Sequence, residues 1–140
     1  MWQMIFPIAI VVIANCFYHI TTKNTPAGVN AFLSLAVTYA VASVLSFVFF
    51  FIGNHSAVSE EIKKLNWTSF ALGLIIIGLE LGYILVYRSG WDVSKAPLVA
   101  NCVLAIALVF IGAILFREQI TFRQIVGMAV CMVGLVIVTV

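Results

Sequence analysis

The chain has 140 residues, 64% of them hydrophobic and 9% charged, with a mean hydropathy of +1.22. Water-soluble domains carry charge on about a quarter of their residues, so a soluble domain of this size is excluded and the outer surface is expected to face lipid. The net charge of +2 comes from seven scattered basic residues, which excludes the clustered basic face of a nucleic-acid-binding protein.

A hydrocarbon core about 30 Å thick is crossed by about 20 helical residues, and five apolar runs meet that length. The first extends from about Met4 to Ile20. No basic residue stands in Met1-Trp2-Gln3 and no small-residue cleavage site follows the run, so it is expected to stay as a span and not to be removed as a signal peptide. The polar segment Thr21 to Gly28, with Pro26, ends it. The second span runs from about Val29 to Ile52 and is closed by Gly53-Asn54-His55. The stretch Ser59-Glu60-Glu61-Ile62-Lys63-Lys64 is then a charged surface loop, in which Glu60 is expected to pair with Lys64 one turn on.

The third span covers residues 68–88, with Trp67 at the membrane interface. The fourth occupies Ala96 to Phe116. A polar turn from Arg117 to Gln124 follows, where Thr121 and Gln124 have the spacing of a capping box. The fifth span covers residues 123–140. Long, continuously apolar runs favour helices over a transmembrane barrel, whose strands are about ten residues long and alternate. The expected fold is an all-α membrane protein, one domain over residues 1–140 with five transmembrane helices.

With an odd number of spans, Lys63, Lys64, Arg117 and Arg123 fall on one side of the bilayer and Lys23, Arg88 and Lys95 on the other. Orientation is normally set by a clear Lys/Arg excess on the cytoplasmic side. Four against three gives almost none. One reading is dual topology, with the two orientations pairing as an antiparallel homodimer that mimics an inverted repeat. The other is a single orientation held weakly by Lys63 and Lys64.

Glu80 is the acidic residue near the middle of a span, where a charge costs about 2.5–3.5 kcal/mol on insertion scales. It is therefore expected to face protein or water, and it suits a group that exchanges a proton for a cation or other solute. At 100° per residue, Gly73, Ile76, Tyr83, Ile84 and Tyr87 share its face. Gly78 and Gly82 lie opposite as a GxxxG pair that admits another helix closely. Gly127 and Gly134 are packing candidates in span five. A structural role for Glu80 is also open, as a protonated acid bonded to a neighbouring helix or as a partner of Arg88.

Asn15 and His19 form a second polar stripe with Tyr18 beside it, and Asn101 adds an amide to span four. These residues line a polar path or serve as interhelical hydrogen bonds, which contribute about 0.6 kcal/mol each on average. Ser34, Thr38 and Ser46 are weaker candidates, because hydroxyls bond back to their own helix. The three cysteines, Cys16, Cys102 and Cys131, sit singly in apolar runs and read as buried small hydrophobes. No zinc-ligand cluster, Ser/His/Asp set or phosphate-cradling loop stands out, and His19 and His55 lie in different environments. Enzymatic chemistry, a metal and a cofactor are not expected.

From Gly73 onward the chain resembles the second part of an EamA-type repeat of the drug/metabolite transporter superfamily. The resemblance is carried by Gly78-Leu79-Glu80-Leu81-Gly82-Tyr83 leading to Tyr87-Arg88, Val93-Ser94-Lys95-Ala96, Phe116-Arg117-Glu118-Gln119-Ile120-Thr121, and Gln124-Ile125-Val126-Gly127 continuing to Gly134-Leu135. Lys23 and Pro26 between the first two spans are also similar. Family members typically join two such repeats in opposite orientations around a cavity, so one repeat implies an antiparallel homodimer.

The resemblance implies a secondary transporter of a small metabolite or organic cation, working by alternating access in the bacterial inner (cytoplasmic) membrane. By family position Glu118 would be a structural residue at the turn; the polar residues of the spans themselves make Glu80, Tyr83, Tyr87, Asn15 and Asn101 the expected lining of the path, with proton coupling through Glu80 as one use of the mid-span carboxyl. The related small multidrug resistance proteins couple protons through a first-helix glutamate, and span one here has no acid. A non-transporting membrane scaffold or accessory subunit, and a passive channel, are the alternatives.

Overall fold

The computed structural model describes the backbone of residues 2–53 and 58–139, and side chains from residue 5 onward within them. Six helices follow one another there: α1 Trp2–Lys23, α2 Ala31–Gly53, α3 Val58–Ile62, α4 Trp67–Arg88, α5 Ala96–Leu115 and α6 Phe122–Thr139. All but the short α3 contain a stretch long and apolar enough to cross a bilayer. The protein is an all-α membrane protein with five spans. Large side chains such as Phe49, Leu74 and Ile114 are 69%, 75% and 76% exposed, an apolar coat that lipid accepts and water would not.

Helix ends are set by hydrogen bonding more than by hydropathy. α1 continues through Thr21 and Thr22 to Lys23, beyond the apolar run, because an apolar boundary marks where lipid ends and not where the backbone ladder ends. The Asn24 N–H then bonds Thr21 O at 3.1 Å and the Thr25 N–H bonds Thr22 O at 3.2 Å, tightening the turn ahead of Pro26. α2 begins at Ala31 because Asn30 Oδ1 accepts the N–H groups of Phe32 (2.9 Å) and Leu33 (3.2 Å), an N-cap that satisfies two orphan donors. Asn66 does the same for α4, accepting the Thr68 N–H at 3.0 Å.

The capping box at α6 is reciprocal. The Gln124 N–H donates to Thr121 Oγ1 at 3.3 Å, and the Thr121 N–H donates to Gln124 Oε1 at 2.7 Å. Gly90, just past α4, has φ +96, a left-handed value that suits glycine after a helix end.

In the α2–α4 loop the ion pair differs from the expected one. Lys64 Nζ meets Glu61 Oε1 at 2.7 Å, three residues back, in place of Glu60. α3 stops at Ile62, and the turn bonds Lys64 N to Glu61 O and Leu65 N to Ile62 O bring the i,i+3 pair together. Asn54 and His55, read as closing the second span, lie outside the described residues, as does Val140.

The chain divides into two compact units. One comprises α1 up to Ile20 together with the chain from Ser89 through α6, and in it α5 packs against α6. Here Gly112 is buried beneath the Glu118 carboxyl, and the Glu118 N–H bonds Gly112 O at 3.1 Å. The other spans Thr21 to Arg88 and packs α2 against α4. Its core is Ala31, Leu35 and Ile84, with Tyr39, Ile77 and Leu81 packed on it.

The cysteines are not the buried hydrophobes expected: Cys16 and Cys131 are exposed and Cys102 is half-buried. Most described positions along the spans are exposed, small residues included.

Candidate functional site

In the Thr21–Arg88 unit, α4 presents Ile77, Glu80, Leu81, Ile84 and Tyr87 at helical spacings of three and four. Ile77, Leu81 and Ile84 belong to the cluster against α2, and Glu80, on the same flank, is partly buried. The α2 contribution is Ala31, Leu35 and Tyr39, four apart, so Tyr39 packs on the same small cluster as Ile77 and Leu81 of α4. Toward the end of α4, Tyr83 and Tyr87 stack one turn apart, with centroids 6.3 Å apart and planes 27° from parallel. Lys23 Nζ lies 5.6 Å from the centroid of the buried Tyr87 ring, a cation–π distance.

Arg88 is not aimed at Glu80. Its Nη2 donates to Val29 O at 2.6 Å and Pro26 O at 3.4 Å. The guanidinium thus straps the α1–α2 connection to the end of α4.

Within the single chain the expected α4 faces are only partly packed. Gly73 and Ile76, placed on the Glu80 face by the 100° wheel, are exposed. The packed flank is rotated toward Ile77 and Leu81, because the aliphatic residues beside the carboxyl, and not the wheel centred on it, decide which way α4 turns. Gly78 and Gly82, read as the close-packing pair, have no side chain or other helix among the described residues within 4 Å of where a Cβ would stand. Gly127 and Gly134 are equally open. Among the described glycines, the one with side-chain atoms against it is Gly112, which the GxxxG spacing does not find.

In the other unit, Asn15 and Asn101 line a cleft of about 400 Å³ with Cys16, His19 and Pro97. α1 supplies Asn15, Cys16 and His19 at intervals that keep them on one face. Pro97 stands in the first turn of α5, where its missing N–H is an orphan in any helix, and Asn101 follows one turn on. His19 is 6% exposed, and its ring meets Tyr18 edge-on at 5.1 Å. It is a buried member of the cleft. Thr38 and Ser46 bond back to Ser34 O (3.0 Å) and Ala42 O (2.7 Å), which occupies those hydroxyls within α2.

The five expected path residues thus form two groups, Glu80 with Tyr83 and Tyr87 on α4, and Asn15 with Asn101 across the cleft. Sequence reading gave no weight to Tyr39. The available signal was that Tyr39 is the phenol on α2, at the third position of a four-residue spacing with Ala31 and Leu35. Among the described residues there is no group of three or more His, Cys, Asp or Glu side chains that could hold a metal.

A family model described as the EamA-like transporter family matches residues 2–140, with the five spans inside the match. The chain belongs to the EamA-like transporter family. Comparison with curated proteins and with solved structures found no significant match. As an EamA-like protein it is an integral membrane protein of a family of drug/metabolite-type transporters. In this EamA-like chain Glu118 sits over Gly112 at the α5–α6 turn.

Proposed function

We propose that this EamA-like protein is a secondary transporter that moves a small metabolite or organic cation across the cytoplasmic membrane by alternating access, coupled to protons through Glu80. The observation that carries the reading is a partly buried carboxyl near the middle of α4, a helix long and apolar enough to cross a bilayer. A charge that costs several kcal/mol to insert is retained where it serves an ion or solute path. Glu80, Tyr83 and Tyr87 form one polar lining, and Asn15 with Asn101 forms another. The solute binds from one side, and two copies of opposite orientation rock against each other to release it on the other. The near-even distribution of basic residues supports both orientations.

The test is a thermal-shift ligand screen on purified protein, followed by flux of the hit into liposomes with and without a pH gradient. Saturable uptake driven by the gradient, and lost in Glu80→Gln, is the expected result. Non-saturable flux would indicate a channel. Full gradient-driven flux in Glu80→Gln would remove the carboxyl from the mechanism.

A further inference from the structure

The Tyr39 hydroxyl is buried and makes no hydrogen bond among the described residues. Buried hydroxyls are nearly always bonded, and a phenol left without a partner in a helix interface is a destabilising choice where phenylalanine would fill the same space. The ring packs on the Ala31–Leu35–Ile84 cluster of the α2–α4 contact, on which Ile77 and Leu81, the α4 residues flanking Glu80 at helical spacing, also pack. Tyr39 is also the titratable side chain that α2 brings to this contact. On α4 itself, Tyr83 stands one turn beyond Glu80, and Tyr87 and Arg88 two turns beyond, Arg88 being held by the carbonyls of Val29 and Pro26.

We propose that Tyr39 is the positioning residue of Glu80: its hydroxyl and the carboxyl hold one small bridging hydroxyl-type group between α2 and α4. The bridge accepts from the phenol and donates to the carboxylate. It is a water in the solute-free protein and is displaced, or replaced by a hydroxyl of the solute, on loading. A water has the required pair of polar partners there. The chain Tyr39–bridge–Glu80 holds the carboxylate in its ionised, oriented form until a proton or solute arrives. The inference rests on the transport reading for its purpose, but its geometry does not depend on it.

The experiment is the rate at which dicyclohexylcarbodiimide, which reacts with a neutral carboxyl in an apolar setting, modifies Glu80 in the purified solute-free protein. The adduct is located by mass spectrometry across a pH series, with Glu80→Gln giving the background. Tyr39→Phe keeps the ring and removes the donor, so Glu80 should react about threefold faster at a fixed pH, the ratio corresponding to an average hydrogen bond within a membrane protein. Thr38→Val, which removes a neighbouring α2 hydroxyl already bonded to Ser34 O, should react at the wild-type rate. Should Tyr39→Phe fold poorly, 3-fluorotyrosine placed at position 39 is a stronger donor of the same shape and should slow the reaction. Wild-type rates in both the phenylalanine and the fluorotyrosine proteins would overturn the proposal. Those rates combined with loss of gradient-driven flux in Glu80→Gln would remove Tyr39 alone. A changed rate with full flux in Glu80→Gln would keep the pairing and remove the transport role.

Discussion

The carboxyl of Glu118 covers Gly112 so closely that a Cβ added to the glycine would stand 2.6 Å from Oε2. The same glycine's carbonyl accepts the Glu118 N–H at 3.1 Å, so backbone and side chain of one residue close the α5–α6 turn over the other. Arg117, between the two and directly before Glu118, takes φ 54 to make that reversal, a left-handed value that is uncommon outside glycine.

This contact sets a coupling between two substitutions. Alanine is the better helix former by about 1 kcal/mol, but at Gly112 it must push the carboxylate aside. Gly112→Ala is therefore expected to change thermal stability little in the wild type, and to stabilise by about 0.5–1 kcal/mol when Glu118→Ala is already present. Thermal unfolding of the four proteins of this cycle in detergent measures it, and additivity would show that the carboxyl does not rest on the glycine in solution.

Asn30 and Asn66 cap α2 and α4 through side-chain oxygens. Asn30→Ala and Asn66→Ala should each destabilise by about 1 kcal/mol, whereas Asn→Asp at either position should be nearly neutral, since both side chains present the same acceptor. Unfolding midpoints in one detergent distinguish the two classes of variant.

Hydropathy made the five spans legible, because lipid selects continuous apolar runs of fixed length whatever packs inside. The Thr121–Gln124 box was legible for a different reason, since both halves of the motif lie three residues apart in sequence. Tyr39 was not, because its significance depends on which flank of α4 turns toward α2, and that is decided by Ile77, Leu81 and Ile84 packing together. The Glu61–Lys64 pair was missed because it depends on α3 stopping at Ile62, a boundary that no composition change marks.

Among the described residues no side chain or other helix comes within 4 Å of a Cβ placed at Gly78 or Gly82, so bulk there tests pairing between copies without disturbing the packing within the chain. Gly78→Ile with Gly82→Ile should leave helicity and monomer yield unchanged and reduce dimer cross-linking several-fold. Unchanged cross-linking would place the second copy on another face.

The near-even count of basic residues predicts that a cysteine introduced at Ser59, in the α2–α4 loop, is labelled from both sides of the membrane. Membrane-impermeant maleimide applied to intact cells and to inverted vesicles, in protein with Cys16, Cys102 and Cys131 replaced by serine, reads this directly. Labelling from one side alone would indicate a fixed orientation, and adding two lysines to the opposite loops should then shift it.

The central claim is that the Glu80 position is reached by water from within the bilayer's depth. Glu80→Cys, in the protein lacking its native cysteines, should react with a charged methanethiosulfonate reagent while reconstituted in liposomes, at a rate well above that of a lipid-facing control such as Leu74→Cys, whose side chain is 75% exposed. Reaction at position 80 with protection by a solute found in the ligand screen is the expected result. A rate at position 80 no higher than at position 74 would contradict it.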